Sequence, residues 1–310
     1  MTQSDTMNRR NVRRRAIIAF VRRLFERSGA WIGATVLIFF LVLAASPGLL
    51  VGPLETAATA TGDFLAAPDS QHFLGTDEAG RDILNLVVHG ARISLTIALV
   101  ATCLSLIVGT AVGIASGYYG GKVDSLLMRM TDFFFIIPPF VLALVIAPVF
   151  VEVVGRGREI LGFRSSLFVI VLVIGLTSWS FVARIIRSQT LSLKERTFIE
   201  RAKVVGSTNF SIMARHVLPN LVPQIAANGA LVVANAIYIE TSLSFLGLGD
   251  PLQPSWGTLL AVAQRAGAAS SGAWWYLGAP GVCVLLVSLG FVLLGNALDE
   301  TFNPRKRIIP

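Results

Sequence analysis

Few residues in this chain could do covalent chemistry, and they are scattered. The three histidines, His72, His89 and His216, share no ligand spacing, and Cys103 and Cys283 each lie inside a long apolar run without a CxxC pair. A GxxxxGKS/T phosphate loop, an HExxH zinc pair and a GxSxG nucleophile elbow are all missing. An enzyme reading therefore has no residues to carry it, and nothing points to a metal or cofactor held on this chain. What remains is recognition chemistry, in two places. One is a basic stretch from Leu191 to Asn220; the other is a set of polar residues in an otherwise apolar run, Gln224, Asn228, Asn235, Tyr238 and Ser242.

The first place reads FIERAKVVGSTNFSIMARHVLPN from Phe198 to Asn220. Glu200, Ala202 and Val205 belong to a helical first half, which Gly206 breaks because glycine readily adopts left-handed conformations. Ser207 or Thr208 can cap a second helix, expected to end before Pro219. On it Phe210, Met213 and Val217 recur at i, i+3 and i+7 and form an exposed apolar strip. Such a strip fits a groove on a partner protein or the surface of a bilayer. In the second place, a helical period of 100° sets the five polar residues within about 80° of one another. Polar groups on one face of a membrane helix line water or bind another helix, and pore lining is the favoured reading. Glu240 falls about 120° from Asn228, which favours a structural partner in the loop that follows.

These residues must be positioned by elements suited to lipid. Hydrophobic residues make up 54% of the 310 and charged residues 14%, with a mean hydropathy of +0.70. Soluble domains carry roughly 25% charged residues, so this chain lacks the polar atoms to cover a water-facing surface. Disorder is excluded on the same ground. A hydrocarbon core of about 30 Å takes about 20 apolar residues of helix. Five runs qualify, Trp31–Val51, Ile93–Gly117, Phe133–Val154, Leu167–Ile186 and Ala279–Leu298, and a sixth, Val222–Leu246, carries no Lys or Arg. Helix is required in each, because unpaired backbone groups in lipid cost several kcal/mol apiece. The expected fold is an all-α integral membrane protein of six spans, with Pro138–Pro139 kinking the third.

The organisation follows: a basic amphipathic segment over 1–29, a first span over 30–52, an outer loop over 53–92, a five-helix core over 93–298 that includes the loop 191–220, and a tail over 299–310. Lys and Arg divide twenty to six between alternate segments, which places both termini in the cytoplasm. The eight arginines between Asn8 and Arg27 alternate with apolar residues and suit an anionic inner leaflet better than nucleic acid. Gly75, Thr76, Asp77, Gly80, Arg81 and Asp82 can close a hydrogen-bonded outer turn. The outer loop 247–278, with Trp256, Trp274 and Trp275, suits a membrane interface.

The loop 191–220 resembles the EAA loop of ABC importer permeases, Glu-Ala-Ala-x3-Gly-x9-Ile-x-Leu-Pro. Glu200, Ala202, Gly206, Leu218 and Pro219 match at that spacing, while Arg201 replaces an alanine and His216 the isoleucine. The segments His72–Leu99, Gly117–Pro138 and Thr241–Leu260 resemble the C-type permease of dipeptide, oligopeptide and nickel importers. The resemblance implies a type I importer permease with a cytoplasmic coupling helix. It implies as partners a second, B-type permease chain, two ATPase subunits that carry ATP and magnesium, and an extracytoplasmic binding protein. It further implies that Phe210 and Met213 enter a groove on the ATPase, and that Gly206→Asp or Met213→Asp uncouples transport from hydrolysis. A secondary transporter is the alternative; it would show a central intramembrane carboxylate or broken helices at the midplane.

Overall fold

The longest apolar run sets the centre of the molecule. The computed structural model describes residues 24–26, 28–155, 159–160 and 163–302, so most of the basic N-terminal segment and of the tail lie outside the described residues. Helices α1 (Ser28–Ala45) and α2 (Pro47–Leu50) are followed by an outer loop and by α3 (Ile83–Tyr119). Helices α4 (Gly121–Ile136) and α5 (Pro139–Val154) precede a two-stranded hairpin, β1 (Glu159–Ile160) and β2 (Phe163–Arg164). Then come α6 (Ser165–Lys194), α7 (Thr197–Val204), α8 (Asn209–Ile212), α9 (Leu218–Leu243), α10 (Trp256–Arg265) and α11 (Trp274–Phe302). Five helical stretches can cross a membrane singly, and α4 with α5 makes a sixth span if that bent pair counts as one.

Helix α3 begins ten residues before the apolar run that announced it, because Asp82 caps it, accepting from Leu84 N at 2.7 Å. Its 37 residues extend about 55 Å, well beyond the hydrocarbon thickness. Gly109, Gly113 and Gly117 form one stripe against α6. A Cβ on Gly109 would stand 2.6 Å from Val182 Cβ, and one on Gly113 2.6 Å from the Ala183 carbonyl. Small residues let the two backbones meet, the usual basis of helix association in lipid. Gly33 of α1 approaches Gly290 of α11 in the same way.

The expected kink at Pro138–Pro139 is a 90° break between α4 and α5. Ile137 (ψ 123°) and Pro138 (ψ 128°) each precede a proline and are extended, as steric conflict with a following pyrrolidine ring demands. The break is pinned to α6 by two ion pairs, Arg184–Asp132 at 2.5 Å and Arg187–Asp124 at 2.5 Å, with Ser116 of α3 also donating to Asp124.

At the start of α3 the loop 51–82 folds on itself. Asp77, fully buried, accepts from the amides of Ala79 and Arg81 at 2.8 Å each and pairs with the Arg81 guanidinium at 2.6 Å. Asn85 donates to the carbonyls of Val51 and Pro53 and accepts from Glu55 N. Asp82 takes no part in the Asp77–Arg81 pair: it caps α3 and lies 3.5 Å from His72 Nδ1.

Candidate functional site: the inner coupling segment and the polar cavity

The inner segment begins where α7 ends. Gly206, at φ +85°, closes a Schellman motif: its N–H donates to Lys203 O at 2.9 Å and Ser207 N–H to Ala202 O at 3.0 Å. A side chain at Gly206 would meet nothing within 4 Å, so backbone conformation alone requires glycine there. Of the two expected caps Thr208 serves, accepting from Ser211 N at 3.3 Å.

The expectation that this second helix stops before Pro219 is corrected by the structure. After the four residues of α8 the chain continues through a π-helical turn, Met213–Val217, into α9, with Pro219 in the first turn of α9. Proline lacks an N–H and crowds the carbonyl four residues back; the widened turn absorbs both and keeps the helix continuous. One helical stretch thus runs from Asn209 to Leu246, where Gly247 at φ +89° interrupts it.

The apolar strip divides between two faces. Ile199, Ile212, Val217 and Leu221 are fully buried against Ile114, Val182 and Ile186 of α3 and α6, and Met213 is half-buried beside them. Phe210 faces outward at 76% exposure, together with Val204 at 88% and Val205 at 84%. Glu200, Leu218 and Pro219 are exposed, Ala202 is buried and His216 is half-buried. The sequence pattern therefore found Phe210 but missed Val204 and Val205. Those two sit on the preceding helix, and a helical period counted from Phe210 does not reach across the Gly206 turn. Tyr118, near the end of α3, donates to Asn209 Oδ1 at 3.0 Å, while Lys203 Nζ stands 5.7 Å from its ring centre.

The polar stripe of α9 is less uniform than its angles suggest. Asn235 is exposed and lines a cavity of about 430 Å³ with Phe134, Phe135, Thr177, Ser178 and Phe181, formed where the α4–α5 break opens a gap against α6 and α9. Tyr238 is 57% exposed. Gln224, Asn228 and Ser242 are half-buried, and Asn228 donates back to Gln224 O at 2.8 Å. Phe134, Thr177 and Ser178 lie on other helices, and no periodicity within α9 could have found them. Glu240 is on the other side, fully buried, and accepts from Ser244 Oγ at 2.9 Å, in the turn that follows α9.

Residues 109–308 match the family described as binding-protein-dependent transport system inner membrane component. The oligopeptide transport system permease protein OppC of Lactococcus lactis subsp. cremoris is 36% identical over 244 residues, 78% of this chain and 79% of that protein. OppC of Haemophilus influenzae is 31% identical across 98% of this chain and 94% of its own length. The dipeptide transport system permease protein DppC of Alkalihalophilus pseudofirmus is 32% identical across 92% of this chain and 89% of its own. Among solved structures, an inward-facing form of the MetNI methionine ABC transporter contains a chain of similar fold, with a TM-score of 0.55. That match has 17% identity and covers 70% of this chain and 96% of the solved one.

Proposed function

The chain belongs to the family of binding-protein-dependent transport system inner membrane components, and on that premise we propose that it is a peptide-importing permease subunit coupled to ATP hydrolysis through Val204, Val205 and Phe210. It is a multi-pass membrane protein and the permease component of an ABC importer. Peptides are its substrate class, by analogy with the oligopeptide and dipeptide permeases to which it is similar along most of its length. It lines half of the pathway beside a second permease chain, and both termini are cytoplasmic, in keeping with the twenty-to-six division of positive charge. Two ATPase subunits beneath the pair hold ATP and magnesium, and an outer binding protein delivers the peptide.

One observation carries the coupling role. Three large apolar side chains point away from the chain on short helices whose other face is packed into a buried cluster. Soluble surfaces seldom expose such a patch without a partner. The Schellman turn at Gly206 sets the angle between α7 and α8, and the helical stretch from Asn209 to Leu246 passes any displacement of the docked end into the membrane. The largely apolar cavity beside Asn235 has walls of Phe134, Phe135 and Phe181 and gives a peptide a few hydroxyl and amide partners midway along α9.

The reading is tested in proteoliposomes containing the whole complex, with labelled di- and hexapeptides as probes. Uptake is expected to continue when ionophores collapse the membrane potential and to stop when ATP is withheld. Uptake that follows the ion gradient and ignores ATP would show a secondary transporter instead.

A further inference from the structure

Glu240 is fully buried, and among the described residues no cation pairs with it. Its hydrogen-bond partners are hydroxyls, Ser244 Oγ at 2.9 Å and Thr241 Oγ1 at 3.5 Å, and the hydroxyls of Ser255 and Ser94 stand beside its carboxyl group. Two of these hydroxyls face two ways. Ser94 Oγ accepts from Trp256 N at 3.1 Å, and Ser255 Oγ accepts from Thr258 N at 3.3 Å. Trp256 and Thr258 open α10, so the carboxylate of α9 reaches the N-terminal amides of α10 through Ser94 and Ser255.

The packing around the cluster is equally tight. A Cβ on Gly257 would collide with the Thr241 carbonyl, and one on Gly249 would stand 2.5 Å from Thr258 Cγ2. Trp256 is fully buried, donates from Nε1 to Val87 O at 3.0 Å and meets Phe40 edge-on. The first turn of α10 therefore rests directly on the last turn of α9 and on α3. An apolar side chain could fill the Glu240 site without the cost of desolvating a carboxylate, so packing alone does not explain the residue.

We propose that Glu240 is a positioning residue that joins the outer end of α9, the first turn of α10 and α3 into one moving part, so that displacement arriving from Asn209–Val217 reaches the outer mouth. The proposal rests on the coupling role assigned above to the inner segment. Substrate is not required to touch Glu240. Its part is to hold the α9–α10 angle fixed while the pathway opens and closes, as a rigid element must if it is to transmit a two-state change.

The test uses the complete importer in proteoliposomes. Glu240→Leu keeps the bulk and removes the hydrogen bonds; Glu240→Gln keeps most of them. Both are expected to copurify with the ATPase subunits and to hydrolyse ATP at the wild-type basal rate. Peptide uptake and the increase in hydrolysis caused by loaded binding protein are expected to fall about tenfold or more in Glu240→Leu, and to recover most of that loss in Glu240→Gln. A second measurement needs no change at Glu240. With Cys103 and Cys283 replaced by serine, spin labels at Ala226→Cys on α9 and Gln264→Cys on α10 are expected to give the same distance distribution in the nucleotide-free and vanadate-trapped states. Normal uptake by Glu240→Leu, equal failure of the leucine and glutamine variants, or a shift in the label distance would each overturn the proposal. If Glu240→Leu does not assemble, the label pair decides. A wild-type complex without ATP-dependent uptake counts against the importer reading itself.

Discussion

The two ends of this bundle handle their surfaces in opposite ways. At the end that holds Gly206, Val204 and Phe210 on helices of eight and four residues, and Val205 at the cap between them, turn large apolar groups outward. At the opposite end Asp77, Asn85 and Glu240 turn polar groups inward, each satisfied by amides, carbonyls or hydroxyls of the same chain. That end is complete within the chain, since a buried polar group left unpaired would cost more than it contributes. The end at Gly206 leaves three large apolar side chains uncovered. Substitutions should therefore separate: removing the buried Asp77 carboxylate damages stability, whereas a charge on the exposed Phe210 spares stability and damages assembly.

The largest effect is expected from Asp77→Ala. It strips the amides of Ala79 and Arg81 of their acceptor and leaves the Arg81 guanidinium without its partner, at about 3–5 kcal/mol. Thermal unfolding in detergent and rapid proteolysis within residues 54–82 would register the loss. An unchanged unfolding temperature would break that half of the comparison. Next comes Phe210→Asp, which places a charge on a side chain already 76% exposed. Unfolding should be unaffected, while binding of the ATPase subunits, measured by copurification, should weaken about tenfold or more. Met213→Asp sharpens the contrast. Met213 is half-buried over the Ile199–Ile212 cluster, so this variant should lose stability as well as coupling.

Smaller effects probe the hinge between the two helices of the coupling segment. Gly206→Ala forces a Cβ into a backbone at φ +85°, at about 1–2 kcal/mol, and hydrogen exchange in α7 and α8 should rise while the spans stay protected. Tyr118→Phe removes the hydrogen bond to Asn209 and should cost about 0.5–1.5 kcal/mol, seen as slightly faster exchange at Asn209 alone.

Much of this fold was legible because lipid leaves the backbone few choices. Hydropathy located the spans, and the Pro138–Pro139 pair located the break in the third. The size of that break depended on two successive residues being forced extended, each by the proline after it. Gly206 and Thr208 were legible as turn and cap because their roles are local. The burial of Val217 was not, since Ile114 of α3 and Val182 and Ile186 of α6, which cover it, lie on separate helices far outside its own helical period. Pro219 misled for a related reason: proline usually ends a helix, and only a π-helical turn lets this one continue. Glu240 could be assigned a side of its helix by angle, but its ties to Ser94 and Ser255 belong to tertiary structure.

What meets the apolar face of Val204, Val205 and Phe210 decides the coupling role. A single cysteine introduced as Phe210→Cys, with Cys103 and Cys283 replaced by serine, allows cross-linking of the intact complex with a short thiol-reactive reagent. The predicted product joins this chain to an ATPase subunit carrying a cysteine in its docking groove, and its formation blocks ATP-dependent uptake until the link is reduced. A Phe210→Cys chain that never links to the ATPase, yet supports normal ATP-driven uptake, would contradict the account.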